Sequence, residues 1–277
     1  LPGHVVAPSA ACVYGKAGVA PSWALWGDSH AAAVAEAFGD ALAARDASLL
    51  LLANASCPPV RDVVSVHASA RCPEYVRDAL AEIARRDVRH VILVARWAVS
   101  AEGFDVALGP AEKGKPRERL RDPDGTIVVD DATRRAYLRR QFLATVQALR
   151  AEGREVVIVY PVPETGYDIP STLARLQWRG EDVSTFTRPR ALYDRRQAWT
   201  TALLDDAAAM PGVAALRPVD AFCDATRCRV AADGTAWYVD DNHVSREGAR
   251  RIAQSFAVLL DARRLPPVTP EGAVPGH

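Results

Sequence analysis

The sequence predicts an α/β domain in which a parallel sheet of about five strands is covered by helices on both faces. Segments typical of strands and helices alternate along most of the chain, as in repeated βαβ units. The apolar runs 91–94 and 156–159 are continuous, which is typical of strands buried on both sides. With 277 residues, of which 49% are hydrophobic, the chain can bury one large core.

The first half of the chain contains three predicted strands and two helices. Each strand is an apolar run, and the second helix has a proline in its first turn. In the parallel sheet of such a domain, the ligand site lies beyond the carboxyl ends of the strands. The predicted elements are a strand over 23–26, a helix over 30–45, a strand over 47–53, a helix over 73–86 and a strand over 88–95.

The second half begins with a polar insertion, 100–130, that contains several glycines and prolines. We expect it to lie over one end of the sheet, with a small hairpin around Asp122–Gly125. The basic stretch Lys113–Arg119 contains an acid and a proline and is interpreted as a solvated loop. There follow a helix over 132–151, a strand over 155–160, an irregular region over 162–187, a helix over 190–210, a strand over 213–219 and a helix over 246–260.

The charge balance argues against nucleic acid as a partner. The 34 basic and 34 acidic residues cancel, so no global field attracts a polyanion. No apolar run approaches the roughly 20 residues that span a bilayer. Because the chain opens at Leu1 without an initiator Met, we expect a mature fragment or an excised domain. We divide it into a lead-in, 1–22, a catalytic domain, 23–265, and a C-terminal tail, 266–277.

The five cysteines predict two local disulfides rather than a metal site. None forms a Cys-x-x-Cys pair and no histidine has zinc-ligand spacing beside them. Cys57 and Cys72 flank one loop, and Cys223 and Cys228 flank a short hydrophilic turn. Such bonds place the domain in an oxidising compartment, whereas five reduced cysteines would indicate a cytosolic enzyme. Cys12 is left over, either free or paired with a cysteine upstream.

Two distant segments predict nucleophilic chemistry. The first apolar run ends at Gly27, and Ser29 follows before a helix, as in strand-to-helix turns that expose a nucleophilic hydroxyl. Asp240 and His243 could supply the orienting carboxylate and the general base, although Asp241 is an alternative carboxylate. The alternatives are that Ser29 is only a helix N-cap and His243 a surface residue.

Motifs along the chain resemble the SGNH (GDSL-like) hydrolase superfamily. More narrowly, they resemble the SGNH domain fused behind the membrane domain of bacterial acyltransferase family 3 proteins, which O-acylate cell-surface glycans. The resemblance covers residues 23 to 249 in the expected order. It is carried by Trp26-Gly27-Asp28-Ser29-His30-Ala31, Ser56-Cys57-Pro58-Pro59 with Cys72, 91–97, Cys223 with Cys228, and Tyr238-Val239-Asp240-Asp241-Asn242-His243-Val244-Ser245 with Gly248-Ala249.

The resemblance implies a three-layer, flavodoxin-like fold, with Ser29 as nucleophile, His243 as general base and Asp240 as its orienting group. It also implies an extracytoplasmic location and an N-terminal acyltransferase family 3 membrane domain outside this chain. The superfamily's oxyanion-binding Gly and Gly-x-Asn-Asp blocks are absent here. The strand ends carry Asn54 and Arg96-Trp97 instead, and we expect these to contact the oxyanion or the substrate.

These features predict an O-acyltransferase that modifies a cell-surface glycan or glycolipid through an acyl-Ser29 intermediate. We expect no metal and no tightly bound cofactor, and we expect a membrane domain or an acyl carrier to deliver the acyl donor. One alternative is a secreted carbohydrate acetylesterase with the same triad. A second alternative is a non-catalytic glycan-binding module, which the two missing blocks favour.

Overall fold

The computed structural model describes residues 6–65, 71–115, 120–121, 124–128 and 130–263. Its strands are β1 (Val13–Gly15), β2 (Trp23–Gly27), β3 (Ser48–Ala53), β4 (Val64–Ser65), β5 (His90–Val94), β6 (Leu120–Arg121), β7 (Ile127–Val128), β8 (Glu155–Val159), β9 (Thr187–Pro189), β10 (Val213–Leu216), β11 (Arg227–Arg229), β12 (Ala231–Ala232) and β13 (Thr235–Ala236). Its α-helices are α1 (Ser29–Ala43), α2 (Cys72–Arg85), α3 (Trp97–Glu102), α4 (Asp131–Ala151), α5 (Ile169–Trp178), α6 (Arg190–Ala208), α7 (Val219–Phe222) and α8 (Arg246–Arg263).

A six-stranded sheet with the order β1-β3-β2-β5-β8-β10 forms the centre of the fold. Five of its strands run parallel, and β1 pairs antiparallel with the edge of β3. The strand order reverses between β2 and its neighbours β3 and β5, which is the topology of flavodoxin-like sheets. The carboxyl ends of β2 and β5 therefore meet where such sheets bind ligands.

Helices cover both faces of the sheet because the strand pleat directs alternate side chains to opposite sides. In β2, Ala24 and Trp26 face one core, which contains apolar side chains of α2, α4 and α6. Trp23 and Leu25 face the other, which contains side chains of α1, α5 and α8. The result is the three-layer α/β/α arrangement that the apolar runs predicted.

The predicted fold class is confirmed, and two local predictions are wrong. The lead-in 1–22, for which no strand was predicted, contains β1, and the region 162–187, which was predicted to be irregular, contains the helix α5. The strands β6 and β7 pair antiparallel on either side of the predicted hairpin, whose residues 122–123 lie outside the described part. The C-terminal tail 266–277 also lies outside it, and the division into three segments stays a prediction. Among the described residues, no helix is long and apolar enough to cross a membrane.

Both predicted disulfides are confirmed. Cys57 is bonded to Cys72 across a sequence separation of 15, and Cys223 is bonded to Cys228 across a separation of 5. The first bond closes the loop after β3 onto the start of α2, while the second closes the turn between α7 and β11. Cys12 is a free, exposed thiol.

Candidate active site

The turn between β2 and α1 requires a glycine because the backbone of β5 passes close to it. A Cβ added to Gly27 would lie 1.8 Å from the carbonyl oxygen of Val94. This contact is between backbone atoms, so a side chain at position 27 would force the two strands apart. The close approach places the next residues of the turn directly above the carboxyl end of the sheet.

Asp28 fastens this turn to the end of β5. One carboxylate oxygen accepts the His30 backbone N–H at 2.8 Å, which caps α1. The other accepts the Arg96 backbone N–H at 2.8 Å. Asp28 is buried, so both bonds are shielded from water. Ser29 is thereby fixed as the first residue of α1, where its own N–H has no acceptor within the helix.

A continuous hydrogen-bond chain joins Ser29, His243 and Asp240. The Ser29 hydroxyl lies 2.7 Å from His243 Nε2, and His243 Nδ1 lies 2.6 Å from the Asp240 carboxylate. Asp240 and His243 lie in the segment between β13 and α8, more than two hundred residues after the serine. The other oxygen of Asp240 accepts the backbone N–H groups of Asn242 and His243, at 2.8 and 2.7 Å.

These hydrogen bonds keep Asp240 ionised. Burial alone would raise the pKa of Asp240, but the hydrogen bonds from the His243 ring and from the two backbone N–H groups lower it below its ordinary value. An ionised carboxylate can only accept, so His243 Nδ1 carries the proton of this bond. With the proton of the ring on Nδ1, the lone pair of Nε2 faces the Ser29 hydroxyl, as in a general base.

A second histidine packs beside His243 without adding charge. The rings of His30 and His243 lie 4.7 Å apart, and His30 Nε2 lies 3.0 Å from Asn242 Oδ1. Burial lowers the pKa of His30, and this effect outweighs the attraction of the nearby Asp28 carboxylate for a charged imidazolium. His30 is therefore neutral near pH 7 and does not oppose a positive charge that forms on His243.

The hydrogen-bond chain opens into a cavity of about 330 Å³, which we call the reactive cavity. This volume lies within the range of small-molecule sites. Its walls come from the turn after β2, the loop after β3, the end of β5, the predicted insertion and the segment before α8. Its lining residues include Ser29, Ser56, Pro58, Arg96, Phe104, Lys115, Asp240, Asp241 and His243.

Arg96, Lys115 and Asp241 line one wall of the reactive cavity, and the buried carboxylates of Glu112 and Glu164 lie behind it. Arg96 Nη2 lies 2.6 Å from Glu164 and 3.1 Å from Glu112. Lys115 Nζ lies 3.0 Å from Glu112 and 3.3 Å from Asp241. Burial and a hydrogen bond with Glu112 raise the pKa of Asp241. This wall therefore combines fixed donors with a carboxyl group that is protonated more readily than an ordinary aspartate.

The structure brings Ser29, Asp240 and His243 together, as the sequence predicted, whereas Asp241 faces away from the histidine. The Asp241 carboxylate contacts Lys115, so it does not orient His243. Arg96 lines the cavity, but its guanidinium is already bonded to two buried carboxylates. The roles of these residues in catalysis stay predictions.

Two residues predicted at the site do not line the reactive cavity. The prediction for Trp97 is wrong in position: its ring packs against Phe142 in the core, and its N–H donates to the Val159 carbonyl at 2.9 Å. Arg96, the residue before Trp97, lines the cavity instead. The helix α3 begins at Trp97, and its first turn directs the Trp97 side chain into the core. The Asn54 N–H donates to the Gly27 carbonyl, but its side chain is buried and does not line the cavity.

Sequence reasoning missed the contribution of the insertion. Phe104 and Lys115 line the reactive cavity, and the buried Glu112 binds both Arg96 and Lys115. The interpretation of Lys113–Arg119 as a solvated loop is therefore wrong for Lys115, whose side chain is 31% exposed. Glu112 and Lys115 are three residues apart, which offered a local signal of an ion pair, but nothing in the sequence indicated their common partner.

The fold and the hydrogen-bonded serine, histidine and aspartate define a three-layer α/β/α protein of the SGNH type. A family model described as "SGNH domain (fused to AT3 domains)" matches residues 3–258, so the chain belongs to this family. The structure is also similar to the periplasmic domain of a lipopolysaccharide acetyltransferase from Salmonella ser. Paratyphi A, with a TM-score of 0.62. The two sequences are 14% identical, and the match covers 86% of this chain and 83% of that one. A comparison with curated proteins found no match.

Proposed function

We propose that the protein is an O-acyltransferase that modifies a carbohydrate through an acyl-Ser29 intermediate. The observation that carries this proposal is the hydrogen-bond chain from Ser29 through His243 to Asp240, which opens into the reactive cavity. Membership of the SGNH family that is fused to AT3 domains supports acyl-group chemistry. The structural similarity to a domain of a lipopolysaccharide acetyltransferase favours an acetyl group and a bacterial glycan.

The first half-reaction acylates the serine. His243 Nε2 removes the Ser29 proton as the hydroxyl oxygen attacks the carbonyl carbon of the acyl donor. The resulting oxyanion is stabilised by the Ser29 backbone N–H, which has no acceptor within α1. When the intermediate collapses, the bond to the donor's leaving group breaks and the imidazolium of His243 returns the proton to that group. The positive charge formed on His243 is stabilised by the Asp240 carboxylate.

The second half-reaction transfers the acyl group to the acceptor. A sugar hydroxyl enters the reactive cavity, His243 takes its proton, and the oxygen attacks the acyl carbon of Ser29. The second tetrahedral intermediate then expels the serine oxygen, which recovers the proton from His243. The atoms and charges of the two half-reactions balance without a metal, an oxidant or another cofactor. We propose that Arg96, Lys115 and Asp241 orient the acceptor, because they line the cavity as donors and acceptors.

The cellular setting that we propose is extracytoplasmic. The family is one whose members are fused to AT3 domains, so we propose that such a membrane domain precedes the chain and delivers the acyl donor. The two disulfides favour an oxidising compartment. The acceptor is then a glycan or a glycolipid on the outer side of the membrane that anchors the full-length protein.

A secreted carbohydrate acetylesterase is the second candidate function. The His243 and Asp240 side chains are 28% and 35% exposed, so water can approach the acyl-enzyme. The esterase uses the same first half-reaction and differs only in the molecule that accepts the acyl group. A glycan-binding module without catalysis is disfavoured because its function would not need the complete hydrogen-bond chain.

The test compares the wild type with Ser29→Ala and with Ser184→Ala, a matched control at an exposed serine outside both the core and the reactive cavity. Each protein is incubated with p-nitrophenyl acetate, with and without bacterial cell-surface oligosaccharides, and the products are identified by mass spectrometry. We expect acetylated oligosaccharide from the wild type and Ser184→Ala, and none from Ser29→Ala. Release of acetate to water alone would favour the esterase, and equal activity of all three proteins would contradict both enzymes.

A further inference from the structure

A second cavity of about 380 Å³ adjoins the reactive cavity. Phe104 lines both cavities and forms the wall between them. The other walls of the second cavity come from Glu102 at the end of α3, Arg135 of α4, and Arg195 and Trp199 of α6. These residues project from three helices that pack together, and Phe104 and Asp105 of the loop after α3 complete the lining.

The second cavity combines aromatic surface with side chains that donate and accept hydrogen bonds. Trp199 is only partly buried, and the Arg135 guanidinium lies 5.9 Å from the centre of its ring. Arg135 also forms two hydrogen bonds with Glu102, at 2.9 and 2.5 Å. Arg195 lies 3.7 Å from Asp105, and its side chain is 56% exposed. Aromatic faces beside hydrogen-bonding groups suit sugar rings, which have apolar C–H faces and polar edges.

The ion pairs argue for a neutral ligand rather than a phosphate or a carboxylate. The three arginines that line this cavity already face carboxylates: Arg135 faces Glu102, Arg195 faces Asp105, and Arg196 faces Glu164 at 3.3 Å. An anion would share a guanidinium with one of these carboxylates, and the two negative charges would repel each other. A sugar hydroxyl can donate to a carboxylate and accept from a guanidinium without separating the pair.

We propose that the second cavity binds a neutral sugar ring of the acceptor glycan, adjacent to the ring whose hydroxyl is acylated. This inference rests on the proposed transfer to a carbohydrate and narrows its substrate. The acceptor has at least two sugar units, one in each cavity, and the glycosidic bond between them lies beside Phe104. The residues of the second cavity then determine which glycan is modified, while Ser29 and His243 perform the transfer.

Binding is tested on Ser29→Ala, so that the result does not depend on catalysis. The protein carries 5-fluorotryptophan, and the Trp199 signal is assigned in the fluorine NMR spectrum through Trp199→Phe. The probes are glucose, galactose, mannose, rhamnose and N-acetylglucosamine, each up to molar concentration, with inorganic phosphate as the anionic probe. Trp178, whose side chain is 88% exposed on α5, provides a control signal outside both cavities.

We expect at least one sugar to shift the Trp199 signal saturably while the Trp178 signal stays in place. Arg195→Gln is expected to weaken that binding about tenfold, because a hydrogen bond to a charged group is lost. Arg195 is largely exposed, so this variant keeps the core intact. Absence of a saturable shift with all five sugars would overturn the proposal, and so would saturation by phosphate alone.

Kinetics with the active enzyme separate this inference from the proposed function. Trp199→Ala and Arg195→Gln are expected to raise the KM for an oligosaccharide acceptor about tenfold. They should leave kcat nearly unchanged. A fall in kcat with an unchanged KM would contradict a binding role. If the sugars bind at Trp199 but the wild type never transfers an acyl group, the proposed function fails and the sugar site stands.

Discussion

We expect Asp240→Asn to remove nearly all acyl transfer while the fold stays intact. The Asp240 carboxylate accepts three hydrogen bonds: two backbone N–H groups on one oxygen and His243 Nδ1–H on the other. In the asparagine variant, the amide oxygen continues to accept the two backbone N–H groups, so the NH₂ group faces the His243 ring. An NH₂ group can only donate, and it therefore selects the tautomer with the proton on Nε2. His243 then has no lone pair for Ser29.

The size of the loss follows from this change of tautomer. A triad histidine held in the wrong tautomer loses roughly 10⁴-fold in kcat. At about 1.36 kcal/mol per tenfold change in rate, this corresponds to about 5.5 kcal/mol of transition-state stabilisation. The free energy of unfolding changes much less, because the two backbone hydrogen bonds persist and the carboxylate is 35% exposed.

The assay is steady-state release of p-nitrophenol from p-nitrophenyl acetate, with circular dichroism to verify the fold. Asp241→Asn is the matched control, because its carboxylate contacts Lys115 rather than the histidine. We expect that variant to lose less than about tenfold in rate. The reasoning is refuted if Asp240→Asn keeps more than about a tenth of the wild-type kcat, or if Asp241→Asn is the more damaged variant.

Three further predictions concern stability, each measured by denaturant unfolding. Gly27→Ala brings a Cβ to 1.8 Å from the Val94 carbonyl oxygen and should cost about 3 kcal/mol; an unchanged midpoint would contradict this contact. Burial opposes ionisation of Glu164, but two arginines lower its pKa to about 2. Its stabilisation, on the order of 3 kcal/mol, is present above an unfolded pKa of roughly 4.3 and is lost as the pH falls towards 2. Glu164→Gln should make the free energy of unfolding less dependent on pH between about 4.3 and 2. A profile identical to that of the wild type would show that Glu164 is not the source of this dependence. Replacing Cys57 and Cys72 with alanine opens a loop with a sequence separation of 15 and should cost about 3 kcal/mol, so a variant as stable as the wild type would argue against the bond.

The parts of the fold that the sequence predicted are those with a strong local pattern. The five parallel strands are apolar runs, and their helices begin at recognisable caps and prolines. The strand β1 lacks such a pattern, because it has three residues at the edge of the sheet and none of them is fully buried. The start of α5 did carry a signal, since Asp168 caps the helix and Pro170 lies in its first turn. The surrounding irregular sequence concealed it.

The candidate site divides in the same way. Ser29 and His243 were predicted because a strand-to-helix turn and an Asp-x-x-His segment are local motifs with a shared chemistry. The cluster around Arg96 has no such motif: its partner Glu164 is 68 residues away and lies in a region predicted as irregular. These charges come together only because the insertion and the segment after β8 both pack against the end of β5. The inward direction of Trp97 likewise depends on the start of α3.

The most direct test of the central claim is to trap the acyl group on Ser29. The wild type is mixed with p-nitrophenyl acetate, quenched in acid within the first turnover, digested and analysed by tandem mass spectrometry. Our account predicts that the peptide containing Ser29 gains the mass of one acetyl group, that added acceptor glycan removes it, and that Ser29→Ala never acquires it. Turnover with no label on Ser29, or a label on another residue that disappears at the rate of turnover, would contradict the account.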